Sequence, residues 1–489
     1  MKNFFAAIFS AMFLLTTVAH AEIQIFDGMG QYIANESEDA EIAKMRARQR
    51  AEQDAQDKAG IYLASFSRSV NARLIEDDIA AVTNTIISVS DVEIKAESFI
   101  HKGNPATLYK ATLKAKIDTD AISAFLERNE DKKFTVLDQN NSLKNDFAKN
   151  DARVADLKEQ YDKATTQVEK DLIREQLKQA DRDFLAIQKR NEAKKLCNQG
   201  DYENSIKCAN EAIKLKPDYA EAYMNLSLNY FWTGNYDSAL KMATKAIELD
   251  PNLSGAYNNR GLAYHDLNQY EQAFQDFNKA IELAPNVAAS YFGRGKVYLK
   301  LNDLNSALAD FNKTVELAPN EALAYFLRGG TYNLLKQFDA AVSDFNKAIE
   351  FAPKYASAYL YRGVAYHGLK QFDTALANFN KAIELKPNDA ENYFYRGYTH
   401  GALKQFDAAL ADFSRAIELR SNYAQNYFQR GKIHRILKNY SAAIADFSKA
   451  IELNPNDKEF YYNRGRCYEA LDDNAHAKAD FIKVKELSH

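Results

Sequence analysis

From residue 186 to residue 489 the apolar positions recur at helical spacings of three and four, in blocks that repeat every 34 residues. Each block holds two amphipathic stretches around a short polar break and ends near a proline. Pro217, Pro251, Pro285, Pro319, Pro353, Pro387 and Pro455 share one lattice, with Ser421 at its vacant node. Proline stops a helix, so the pattern predicts nine helical hairpins, starting at 186, 220, 254, 288, 322, 356, 390, 424 and 458. Residues 142–190 keep the helical spacing without glycine or proline, at Val154, Leu157, Tyr161, Ala164, Val168, Leu172, Leu177, Ala180, Phe184 and Ile187. They read as one long amphipathic helix of ~65–70 Å at 1.5 Å per residue. The skip from Leu172 to Leu177 departs from a heptad, which favours packing within the chain over a coiled-coil dimer.

Near the N-terminus the period changes to two. IQIFDGMGQYI alternates as a strand, and the chain enters a helix at Ser37 on which Ala43, Ala47, Ala51, Ala55 and Ala59 form a ridge of small side chains. IISVSDVEIKAESFI and ATLYKATLKAKI, joined by His101-Lys102-Gly103-Asn104-Pro105, predict a hairpin. A short helix from Thr119 to Leu126 closes an α+β domain over residues 22–130, and residues 131–185 form the charged linker and long helix. Gly28 and Gly30 lack the third glycine or Lys-Ser/Thr of a phosphate loop, so a turn with positive φ is expected there. The order Gly28-x-Gly30-x-Tyr32, the helix AKMRARQRAEQDAQDKAG and the ending KAKIDTDAI resemble the N-terminal domain of the flagellar H-ring protein FlgT and of LPP-type envelope lipoproteins. That resemblance implies a non-catalytic envelope module of Gram-negative bacteria.

Comparing the nine blocks position by position gives the chemistry of the hairpin. Position 4 is tyrosine in eight copies, position 8 glycine in seven, position 20 alanine in eight, and position 24 phenylalanine in the last seven. A small residue lets two helices approach, and the aromatics fill the space beside it. In length and in these positions the blocks resemble the tetratricopeptide repeat (TPR), which implies a mainly α, right-handed TPR superhelix that binds rather than catalyses. Position 7 is arginine in the last seven blocks, and position 23 is aspartate or asparagine in the same seven. Arg260 with Asp276, Arg294 with Asp310, Arg328 with Asp344, Arg362 with Asn378, Arg396 with Asp412, Arg430 with Asp446 and Arg464 with Asp480 are therefore expected as a structural ladder.

The resemblance places binding on the concave face, at positions 2, 5, 9 and 12 of each first helix. The candidate groove residues are Phe292, Phe326, Leu360, Phe394, Tyr398, Phe428, Lys432, Arg435, Tyr462 and Arg466. The family's clamp for a C-terminal carboxylate, built from Lys or Arg and Asn at these positions, is absent. Three readings stand: the apolar position-5 side chains cover one another, they bind an amphipathic or extended peptide, or the chain's own long helix fills the groove.

Composition narrows the partners. A net charge of −4 and a pI near 6.1 give no basic field for nucleic acid. Residues 1–21, MKNFFAAIFSAMFLLTTVAHA, read as a secretory signal ending in Ala19-His20-Ala21. A periplasmic or secreted protein without a membrane span in its mature chain is expected. Cys197, Cys208 and Cys467 are too few for a disulfide framework. Cys197 and Cys208 fall on one predicted hairpin, so a bridge is an alternative to free thiols. His265, His367, His400 and His434 lack matched metal ligands, and no nucleophile or phosphate motif stands out. The reading is a non-enzymatic exported scaffold, without cofactor, that binds a protein or peptide in assembling or maintaining an envelope structure. Glycan binding by groove aromatics is the alternative.

Overall fold

The computed structural model describes residues 23–35, 38–69, 88–101, 104–118 and 140–488. The expected signal at 1–21 and the helix at Thr119–Leu126 lie outside them. The chain forms two compact units, residues 1–303 with 312–321, and residues 304–311 with 322–489.

The first unit begins with β1 (Ile23–Asn35), α1 (Ala40–Ser69), β2 (Ser88–His101) and β3 (Asn104–Asp118). The strands pair antiparallel in the order β1-β3-β2, with α1 against one face. Tyr32 and Ala34 of β1, and Tyr109, Ala111, Leu113, Ala115 and Ile117 of β3, meet the buried ridge of Ala43, Ala47, Ala51, Ala55 and Ala59. Gly28 and Gly30 correct the expectation of a turn. They sit within β1, opposite Leu113 and Ala111, and a Cβ on either would collide with the carbonyl oxygen of Ala51 or Ala47. Glycine is required there because the helix backbone lies directly on the strand.

The long helix is also corrected. It is two helices, α2 (Asn140–Lys163) and α3 (Gln167–Gln199). Thr166 stops the run in an extended conformation: its hydroxyl accepts from the Glu169 amide, and the Glu169 side chain accepts from the Thr166 amide, a capping box. The apolar positions fold onto one another, Val154 and Leu157 packing with Ile173, Leu177 and Ala180, while Val168 and Leu172 are exposed. Arg46 of α1, fully buried, lies over the Phe184 ring and donates to Asp151 at 2.9 Å and Asp181 at 3.2 Å, which ties both helices to the sheet domain. The expected boundary at residue 185 falls inside α3, whose C-terminal part serves as the first helix of the first hairpin.

The hairpins pair that part of α3 with α4 (Tyr202–Leu215), then α5 (Ala220–Trp232) with α6 (Tyr236–Leu249), and α7 (Ser254–Asp266) with α8 (Tyr270–Leu283). α9 (Ala288–Lys300) and α10 (Leu304–Leu317) follow. The second unit continues with α11 (Ala322–Leu334) and α12 (Phe338–Phe351), α13 (Ala356–Gly368) and α14 (Phe372–Leu385), α15 (Ala390–Ala402) and α16 (Phe406–Leu419). It ends with α17 (Ala424–Ile436) and α18 (Tyr440–Leu453), then α19 (Lys458–Ala470) and α20 (Asn474–Glu486). Position 15, which ends each first helix, is left-handed throughout, with glycine in the first two copies and Asn268, Asn302, Lys336, Lys370, Lys404, Lys438 and Asp472 thereafter.

The repeated positions hold the hairpins together. At position 8, a Cβ on Gly363 would press into the Phe379 ring at position 24. Arg260, Arg328, Arg396, Arg430 and Arg464 each donate two hydrogen bonds to the aspartate of their own second helix, at 2.6–3.0 Å. Arg362 donates to Asn378. The third nitrogen reaches back to position 25 of the preceding hairpin, as from Arg396 to Asn380 and from Arg464 to Ser448. The guanidinium lies over the position-4 tyrosine one turn earlier. The tyrosine hydroxyl in turn donates to the lattice proline's carbonyl, as from Tyr359 to Pro353 and from Tyr393 to Pro387. One arginine thus joins three helices. None of the three cysteines is in a disulfide, and burial pushes the Cys208 and Cys467 thiols up to about 11. Among the described residues no helix is long and apolar enough to cross a membrane.

Candidate functional site

In the second unit consecutive first helices touch, α11 with α13, α13 with α15, α15 with α17 and α17 with α19, and each second helix packs chiefly on the first helices beside it. The first helices α11, α13, α15, α17 and α19 therefore form a continuous layer, and the face they turn away from the second helices is the candidate site.

The structure divides the ten groove residues. Phe292, Leu360 and Phe428 are buried, and Phe326 and Phe394 are half-buried. Phe326 packs on Phe345, Tyr355 and Tyr361. Phe394 packs on Phe413 and Tyr423, and Phe428 on Phe447 and Phe460. At position 5, Phe326, Phe394 and Phe428 thus pack into the hairpins, whereas Tyr462, at the same position of the last copy, is exposed. Tyr398 and Tyr462, 43% and 50% exposed, offer surface. Arg466 is exposed and pairs with Glu469 at 2.7 Å. Lys432 holds its ammonium 5.4 Å from the centre of the Phe428 ring, and Arg435 lies one turn further along α17.

Tyr361, Tyr395 and Glu391 escaped the sequence reading, and His367 and Gly330 were not among its groove residues. The Tyr361 hydroxyl donates to Glu391 at 3.1 Å, and burial raises both the Tyr361 hydroxyl and the Glu391 carboxyl above their usual ranges. Tyr395 is likewise raised by burial. His367 contacts the Thr399 hydroxyl at 2.9 Å and the Tyr398 ring, and burial lowers its pKa. Gly330 at position 9 has open space where a side chain would stand. Tyr361 and Tyr395 occupy position 6, where other copies carry Asn225, Asn259, Leu327, Gln429 and Asn463. That variation between copies was the available signal. From α11 to α19 the face runs from the Gly330 opening, through the tyrosines and His367, to Lys432, Arg435 and Arg466.

Five family profiles described as tetratricopeptide or TPR repeats match the chain: at 193–231, at 220–253, at 254–287, 356–389 and 424–457, at 292–356, and at 378–411 and 447–479. Together they span most of residues 193–479. The chain is a tetratricopeptide repeat protein. No curated protein matches it. Among solved structures, the Cut9 and Hcn1 hetero-tetramer of the APC/C is 16% identical, covers 60% of this TPR protein with a TM-score of 0.46, and is itself spanned over 59% of its length. A tetratricopeptide repeat protein from Parabacteroides merdae is 22% identical over 51% of this chain and 98% of its own, with a TM-score of 0.43. YrrB, described as a TPR protein with an unusual peptide-binding site, is 27% identical over 38% of this chain and 96% of its own, with a TM-score of 0.34.

Proposed function

We propose that this protein is a non-catalytic scaffold whose first-helix layer in residues 322–489 captures an extended protein segment carrying acidic side chains. The observation that supports this reading is an imbalance of charge. Arg328, Arg396, Arg430 and Arg464 are each held by the aspartate at position 23, whereas among the described residues neither Lys432 nor Arg435 has a carboxylate partner, and the Arg435 Nε is buried without an acceptor. A carboxylate from a partner would complete both cations. Tyr398 and Tyr462 flank them and supply amphipathic contact area at low entropic cost. Gly330 gives the clean test, because a larger side chain there meets open space and gains helix propensity. Gly330→Trp and Lys432→Glu are expected to keep the thermal midpoint and to lower affinity for the partner at least tenfold. Unchanged affinity in both variants contradicts the reading.

Residues 1–21 and the resemblance of the sheet domain to flagellar H-ring and envelope-lipoprotein modules support an envelope setting, periplasmic or secreted, with a role in assembling or maintaining an envelope structure. Sequencing of the mature protein is expected to begin at Glu22; an intact Met1 in the exported protein contradicts export by cleavage.

A further inference from the structure

The three-stranded sheet ends on β2, whose outer edge pairs with no other strand among the described residues. From Lys95 to His101 β2 is exposed throughout, and Val92, Phe99 and Ile100 are exposed apolar side chains, 38%, 36% and 67% accessible. Such an edge presents free N–H and C=O groups to a further strand, and a row of like charges is the usual protection against it. The signs on β2 are mixed instead, with Asp91 and Glu93 before Lys95 and Glu97 after it, and Lys95 3.3 Å from Glu93. Lys95 and Glu97 lie on one face of the strand, and Glu97 is held there by Lys110 of β3 at 2.8 Å.

We propose that a second copy of this chain pairs antiparallel along β2 about a two-fold axis at Ala96, joining two sheets into one of six strands. In that register Lys95 faces the second copy's Glu97, Glu97 faces its Lys95, and Ile94 faces its Ser98. Neighbouring registers are penalised. Like charges directly opposite destabilise a strand pair, and an axis at Lys95 sets Lys95 against itself and Glu93 against Glu97. An axis at Ile94 sets Glu93 against Lys95 but lays the bulge between Ser90 and Glu93 against the stretch from Lys95 to Ser98, which breaks the ladder beside its centre. The interface is isologous, so it closes at two copies and leaves β1 as the edge at each end.

The test is a charge exchange in the full chain, read by light scattering, with far-UV circular dichroism as the check on folding. The wild type is expected at twice the chain mass. Lys95→Glu alone sets Glu against Glu, Glu97→Lys alone sets Lys against Lys, and each is expected at the single-chain mass. Mixed one to one, the two variants restore opposite charges at both contacts and are expected to return to twice the chain mass. A monomeric wild type overturns the proposal, as do variants that stay dimeric singly and a mixture that stays monomeric.

Discussion

The position-7 arginine does the most structural work of any single residue in the repeats. It is charged, four-fifths buried at Arg328, and joined to a carboxylate that is almost wholly inaccessible. Its hydrogen bonds to Asp344 raise its pKa above the ordinary guanidinium value. Replacing such a pair by apolar residues of similar volume can be nearly neutral, whereas removing one partner strands a buried charge at ~3–5 kcal/mol. Arg328→Leu and Asp344→Leu are each expected to lose stability in that range. The double variant is expected to lose less than their sum, by ~1–3 kcal/mol. Denaturant unfolding of the four proteins checks this, and strictly additive losses contradict the pairing.

At the scale of elements, comparing copies made the interior legible where each copy performs the same task. Positions 4, 7, 8, 23 and 24 showed themselves because the last seven hairpins solve one packing problem seven times. At position 5 the sequence left covering and binding open, because a helix face turned toward a groove merges into the one turned toward the core, and periodicity alone does not mark the boundary. Phe326 and Phe394 fall on the core side. The α2–α3 break was missed because Ala164-Thr165-Thr166 contains neither glycine nor proline, and the stop is carried by a capping box alone. Thr166→Ala is therefore expected to cost ~1 kcal/mol in the unfolding free energy of the first unit; a change below a few tenths contradicts the cap as the element that ends the run. Gly28 and Gly30 teach the same lesson, since the sequence shows that side chains are absent but not what occupies their place.

For the whole molecule, the two ends of the chain divide the work. A sheet domain is fastened to a helical hairpin by Arg46 and by the Lys158–Glu38 pair, and that hairpin runs directly into the repeats through α3. In the repeats the ladder fixes the spacing of the first helices, leaving the side chains of their outer face free to vary from copy to copy. No residue recurs in the second unit at position 9, where Gly330, Val364, Tyr398, Lys432 and Arg466 follow one another, or at position 12, where Asn333, His367, Gly401, Arg435 and Glu469 do. The central claim is that this face, and not the second-helix layer, meets the partner. Photo-crosslinking residues placed at Tyr398 and Arg435, with Glu452 of α18 as the control on the opposite layer, test it in living cells. The account predicts one discrete adduct from Tyr398 and Arg435 and none from Glu452. Adducts from Glu452 alone, or from all three positions equally, would contradict it.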